Sequence, residues 1–278
     1  GLLVGLGMSG ASFPLVLAAL GRMVPERRRN LAFGICTAAG SMGQFLLVPL
    51  GQAFLSAYGW ATALTLLALM LALVIPLSTV MPRRAGDAPA GPKQSMGQAL
   101  TEARQHSGYL YLTAGFFVCG FHIAFIGTHL PAYITDQGLS AELGAQSLAL
   151  VGLFNIFGAI GAGVLGNRFQ KKNLLSLLYL GRAVAIALFM VLPIGPLTVL
   201  LFSAAIGLTW LSTVPLTSGI VAQVFGPRYM ATLFGFVFLS HQVGSFLGVW
   251  LGGKLYDETG SYGVVWWLGV ALGLFAAL

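Results

Sequence analysis

Apolar runs of about twenty residues recur along the whole chain, and no other feature restricts its fold as strongly. At 1.5 Å per residue such a run covers the roughly 30 Å hydrocarbon core of a bilayer. Nine are read here: 1–21, 33–56, 60–81, 110–134, 144–166, 174–193, 197–222, 231–253 and 263–278. Strands of a membrane barrel would alternate apolar and polar residues over about ten positions, which these runs do not do, so each is predicted to be helical. With only 8% charged residues and a mean hydropathy of +0.88, the 278-residue chain is predicted to be an all-α, multi-pass membrane protein.

The charges follow the spans. Arg22, Arg27, Arg28 and Arg29 come after the first, Arg83, Arg84, Lys93 and Arg104 after the third, Arg168, Lys171 and Lys172 after the fifth, and Arg228 after the seventh. These alternate loops hold 12 of the 14 Lys and Arg residues, leaving Lys254 on the other side and Arg182 inside a span. The positive-inside rule makes them cytoplasmic, which accounts for the net charge of +7 without a nucleic-acid partner. Cys36 and Cys119 both fall within spans, so neither a disulfide framework nor a Cys-rich metal site is expected.

Shifting the chain by 201 residues superposes Pro14 on Pro215, Arg27 on Arg228, Phe33 on Phe234, Gly34 on Gly235, Gly43 on Gly244, Gly51 on Gly252 and Gly59 on Gly260, with five further identities in the same register. Spans one and two are thus counterparts of spans seven and eight, in the same orientation, as in a parallel repeat of six-helix halves. The counterparts of spans four to six then belong before Gly1, and the chain is expected to be a fragment of a twelve-span protein. On this reading residues 1–81 are the last three helices of the N-terminal half, 82–109 a Pro-, Gly- and charge-rich cytoplasmic linker in which MGQALTEAR forms a short helix, and 110–278 the C-terminal half.

This organisation resembles the major facilitator superfamily over the whole chain. GVLGNRFQKKN at 163–173 is similar to the family's Gly-x-Leu-x-Asp-Arg-x-Gly-Arg-Lys loop through Gly163, Leu165, Arg168 and Lys171, with Asn167 in place of the acid and Gln170 in place of the second Gly. Within the family, FPLVLAALGRMVPERRRNLAFGI and the segment 214–262 resemble bacterial relatives of the monocarboxylate and oxalate/formate carriers. The resemblance implies two six-helix bundles, a conformational loop at Gly163, Asn167 and Arg168, and a midplane site. The Asp and Arg pair that eukaryotic monocarboxylate carriers have in the fifth span is absent here.

The candidate site residues are polar groups inside spans, where an ionisable side chain is costly and usually faces protein or a water-filled cavity. His122 and His129 are seven residues apart on one face, which is expected to line the cavity between halves; the alternative is packing by hydrogen bonds to neighbouring helices. Ser240, His241 and Gln242 lie in the middle of span eight, and His241 is a candidate proton or anion site. Arg182 is the only formally charged residue deep in a span, either a carboxylate clamp or a cap for carbonyls. Trp210 heads a stripe with Thr213 and Thr217, Asn155 is polar near mid-span, and Pro14 and Pro215 predict paired bends.

All seven carboxylates lie in loops or at span ends, so cationic cargo has no buried partner here, whereas three histidines and an Arg suit an anion. No HExxH, Gly-rich phosphate loop or GxSxG elbow is found, and neither an enzyme, a cofactor nor a bound metal is expected. The expected function is secondary active transport of a small organic anion, a mono- or dicarboxylate, with protons, by a monomer in a bacterial cytoplasmic membrane. Efflux of an amphipathic drug or metabolite by proton antiport, and a non-transporting receptor, are the alternatives.

Overall fold

The computed structural model describes residues 6–7, 12–79, 95–226 and 228–278, apart from the side chains at 44, 48, 49, 52 and 78. Every regular element among them is a helix: α1 (Phe13–Met23), α2 (Glu26–Ala72), α3 (Val74–Ser78), α4 (Met96–Gln105), α5 (Ser107–Asp136), α6 (Ala141–Leu165), α7 (Lys171–Val191), α8 (Pro196–Thr209), α9 (Thr213–Phe225), α10 (Met230–Thr259) and α11 (Gly263–Ala277).

Among the described residues seven helical stretches are long and apolar enough to cross a bilayer: Glu26–Leu47, Ala53–Leu77, Ser107–Asp136, Ala141–Leu165, Lys171–Val191, Pro196–Phe225 and Met230–Thr259. The nine predicted spans are therefore not all matched. The described parts of the first and last, α1 and α11, have 11 and 15 residues. They rise about 16 and 22 Å, short of the roughly 30 Å core.

Local chemistry sets several boundaries. Spans two and three form one helical run broken at Gly59, whose φ of 75° and ψ of 170° are accessible essentially to glycine alone. Its repeat counterpart Gly260 also has positive φ, 66°, and ends α10 in the left-handed conformation. The two copies thus terminate corresponding helices with the same residue type.

The short helix expected in the linker is α4, opened by a reciprocal capping box in which Ser95 accepts from the Gln98 backbone and Gln98 accepts from that of Ser95. Residues 80–94 of the predicted linker lie outside the described residues. The next helix starts at Ser107 rather than 110, because His106 caps it through Nδ1 and Tyr109 N.

Predicted span seven is two helices. Pro215 lacks an N–H and its ring crowds the carbonyl four residues back, so α8 ends at Thr209, and Trp210, Leu211 and Ser212 form a turn before α9. A bend at the matching Pro14 cannot be compared, since residues 8–11 lie outside the described residues.

Small residues bring the helices together, as expected where lipid supplies no hydrophobic drive between them. A Cβ on Gly244 would fall on the carbonyl oxygen of Phe117, and one on Gly248 would come within 2.5 Å of that of Phe121, so α10 lies directly against α5. Between α2 and α6, a Cβ on Gly163 would meet Asn30 O at 2.8 Å and Gly34 Cα at 3.1 Å. Asn30 is pinned at the same junction, donating from Nδ2 to Gly166 O at 2.8 Å. Next to it, Lys171 Nζ donates to Gln223 Oε1 at 2.7 Å. Helices on either side of the linker are thus closely joined at the end that carries the basic loops.

Candidate functional site

The break between α8 and α9 frees backbone groups at mid-span, and two of the predicted site residues serve them. Arg182 on α7 is fully buried; its Nη2 donates to Thr209 O and, at 3.0 Å, to Trp210 O, the carbonyls left by the end of α8. On the other side Asn155 of α6 accepts from Leu211 N at 2.9 Å through Oδ1. Its Nδ2 donates to Ser41 Oγ on α2 at 2.7 Å. Asn155 therefore ties the broken span to a helix on the far side of the linker, and Ser41 and Asn155 are both buried.

Around Arg182 the interior is polar, and among the described residues no acid is buried there. Its guanidinium carbon sits 5.7 Å from the centroid of Tyr179, one turn earlier on α7. Cys119 Sγ on α5 lies 3.2 Å from Thr213 Oγ1. Two nitrogens of Arg182, Nε and Nη1, are buried without a hydrogen-bond partner among the described residues, as is His122 Nδ1.

His122 and His129 are set against α11 and α10, with hydrogen bonds to carbonyls of those helices. His122 is 1% exposed and donates from Nε2 to Gly269 O on α11 at 2.8 Å. His129 donates from Nε2 to Val249 O on α10 at 3.0 Å, its ring filling the notch at Gly252. Both pack within the bundle formed by residues 107–277, where Phe125 and Tyr262 flank His129. The reason is the glycine series on α10 and α11: without side chains at 252, 269 and 273, α5 can turn its large polar rings toward those helices.

His241 is nearly buried, its ring stacked on Phe238 at 5.3 Å and 5.0 Å from Phe116. Nδ1 lies 3.2 Å from Gln242 Oε1 and 3.4 Å from Ser245 Oγ, and Gln242 itself is exposed. Ser240 donates to Thr113 O at 2.8 Å, so two of the three adjacent polar residues face inward and one outward. Trp210 is 5% exposed within the α8–α9 turn. In the loop, Gly163 is buried against α2, while Asn167 and Arg168 are exposed.

The structure thus brings Arg182, Trp210 and Asn155 together at one break, sets His122 against α11, and sets His241 with Gln242 on α10 and His129 toward the far end of α5. Sequence reasoning missed Ser41, Tyr179 and Cys119 as members of this interior. Ser41 gives no local signal, being 114 residues from its partner. Tyr179 was legible only as the residue one turn before a buried Arg.

A separate cleft of about 760 Å³ opens at the basic-loop end, between His106, Tyr109, Lys172, Ser176, Tyr179 and Phe275. None of the predicted binding residues lines it. Among the described residues no cluster of His, Cys, Asp or Glu is able to hold a metal ion.

Comparison with known proteins decides the family. The Major Facilitator Superfamily pattern matches residues 1–249. The chain belongs to this superfamily. It is 28% identical over 246 residues to the uncharacterized MFS-type transporter YcxA of Bacillus subtilis, covering 85% of this chain and 60% of that protein. Human monocarboxylate transporter 11 is 30% identical over 285 residues, covering 94% of this chain and 58% of the relative. The chain therefore spans about three-fifths of the length of these relatives. In fold it is similar to the Escherichia coli fucose:proton symporter, with a TM-score of 0.72 at 15% identity over 95% of this chain and 72% of that one. The family and these relatives are transporters of the major facilitator type, and seven helical stretches among the described residues of this chain are long and apolar enough to cross a membrane.

Proposed function

We propose that the chain forms the last three helices of one six-helix half, the linker and the whole second half of a secondary active transporter, which moves a small organic anion with protons by alternating access across a bacterial cytoplasmic membrane. Nine spans are proposed, α1 and α11 being the described portions of two of them, and the working unit is a monomer.

The observation that carries the anion reading is the charge inventory of the interior. Among the described residues the carboxylates Glu26, Glu102, Asp136, Glu142, Asp257 and Glu258 sit on α4 or at the ends of the longer helices, while the interior holds Arg182 and His241. A low-dielectric interior furnished with a guanidinium and no acid attracts carboxylate cargo and repels cationic cargo. The resemblance to monocarboxylate transporters supports the same class. His241, held by the exposed Gln242, is proposed to take up the proton, since its amide partner faces outward while its ring lies inside. The Asn155 clasp on Ser41 is proposed to make and break as the halves rock, with Gly163, Asn167 and Arg168 at the contact that closes the basic-loop end.

The test is uptake of labelled lactate, pyruvate, oxalate and formate into proteoliposomes of the full-length protein under an imposed pH gradient, with His241→Ala alongside. Gradient-driven uptake of at least one acid that His241→Ala abolishes, with the variant still folded, supports the proposal. No uptake of any acid, with or without a gradient or trans-side acid, overturns the small-carboxylate assignment.

A further inference from the structure

The cleft at the basic-loop end exists because small residues line it from two sides. α5 contributes Ala114 and Gly115, α11 contributes Ala276 and Ala277, and with the walls of α7 and α9 they enclose about 760 Å³. Small-molecule sites occupy about 300–1,000 Å³. Two seams of the cleft are fastened. Ser176 on α7 donates to Ala277 O on α11, and the ring of Phe225 on α9 meets those of His106 and Tyr109 at 5.7 and 5.5 Å. The side between α5 and α11 is open: Tyr111 and Phe275, which line it there, are 76% and 54% exposed. In a helix bundle that lies in a membrane, this side meets lipid, and an exposed Tyr near a helix end marks the level where acyl chains give way to headgroups.

The charge of the cleft is confined to its rim. Lys172, in the first turn of α7, lines the cleft and has neither an ion pair nor a hydrogen bond among the described residues. His106 caps α5 by accepting from Tyr109 N at Nδ1, so the proton of its neutral ring sits on Nε2 and is a second donor at the rim. Among the described residues no carboxylate lines the cleft. Farther in, the wall is Leu112, Leu175, Val221 and the ring of Tyr179, and the seven residues from Lys172 to Tyr179 carry it about 10 Å inward. Cationic donors at the rim, an apolar interior behind them and an opening toward lipid match one kind of molecule, an amphiphile with an anionic head. A free polar anion would find no partner in the interior, and an apolar molecule would leave Lys172 unused.

We propose that this cleft retains one anionic phospholipid of the leaflet on the basic-loop side, with an acyl chain between α5 and α11 and its phosphate against Lys172 and His106. The site shares no residue with the proposed transport site and needs only that the chain lie in a bilayer, so lipid retention and anion uptake succeed or fail independently.

The experiment is native mass spectrometry of the purified full-length protein in detergent, titrated with phosphatidylglycerol and, separately, with phosphatidylcholine. One phosphatidylglycerol per chain is expected to be retained about fivefold more tightly than phosphatidylcholine, the preference that one Lys near an anionic headgroup supplies. Lys172→Gln should abolish that preference, and Leu112→Trp, which fills the acyl space, should weaken both lipids about tenfold. Lys254→Gln, a loss of the same charge outside the cleft, should change neither. If Leu112→Trp is not monodisperse, Lys172→Gln carries the comparison, because the replaced side chain is exposed and unpartnered among the described residues. Equal retention of the two lipids by the unaltered protein, a preference that survives in Lys172→Gln, or no retained lipid, as when a further part of the full-length chain fills the cleft, overturns the proposal. Displacement of the lipid by an equal concentration of glycerophosphoglycerol, the headgroup without its chains, also overturns it, since the acyl chain would then contribute nothing.

Discussion

Replacing Asn155 by Ala tests whether one side chain holds both the broken span and the contact across the linker. The substitution removes two bonds of different kinds. The one to Ser41 Oγ is an interhelical side-chain bond at 2.7 Å, and such bonds in membrane proteins average about 0.6 kcal/mol and reach about 1.7. The other, from Leu211 N at 2.9 Å, satisfies a backbone donor within the α8–α9 turn that has lost its helical partner. Leaving such a donor unpaired costs about 1–3 kcal/mol. Asn155→Ala is therefore expected to destabilise the protein by about 2–4 kcal/mol, and Ser41→Ala by about 1, because Asn155 keeps its grip on Leu211 in that variant. The assay is reversible unfolding in mixed micelles across the double-mutant cycle, with an expected coupling of about 0.6–1.7 kcal/mol. Equal losses in the two single variants would refute the reasoning, since they would mean that the Leu211 bond contributes nothing and the whole effect lies in the Ser41 contact.

Gly244→Ala should destabilise the packing of α10 on α5 by about 1–3 kcal/mol, because the new methyl meets the Phe117 carbonyl. Gly235→Ala on the same helix, with nothing within 4 Å of the added carbon, should stabilise by up to about 1 kcal/mol; thermal unfolding of the pair gives opposite signs or the packing argument fails. At the matched glycines with positive φ, Gly59→Ala should cost about 1–3 kcal/mol and Gly260→Ala about 1–2, since ψ of 170° at the former lies where residues with a Cβ are essentially excluded and 15° at the latter lies in the left-handed helical region. Pro215→Ala should leave a break at 210–212 while Arg182 and Asn155 hold the freed groups; in the Asn155→Ala background it should let α8 and α9 fuse, which amide exchange at Leu211 and Ser212 would register as slowed.

Much of the fold was legible because the bilayer simplifies the problem. Each backbone group in hydrocarbon must be satisfied within its own segment, so length and apolarity alone place most of the helices, from Glu26–Leu47 to Met230–Thr259. The 201-residue repeat paired Gly59 with Gly260, which the structure finds ending corresponding helices, and Pro215 foretold a bend in span seven. The site was less legible. Polarity inside a span says that a residue needs a partner, not which helix supplies it. His122 and His129 met that need at carbonyls of α11 and α10, and Arg182 and Asn155 met theirs at a break 27 and 56 residues away.

What the sequence determined by itself, then, is helix, family and most of the spans, because these depend on composition, on periodic hydrophobicity and on local residues such as the Ser95–Gln98 capping box and the glycines with positive φ. Only the tertiary structure decided which face of each helix is turned to which neighbour. That choice is set by close approach at small residues far apart in the chain, Gly34 on Gly163 and Gly244 on Phe117, and no local pattern records with which partner a glycine shares its missing side chain.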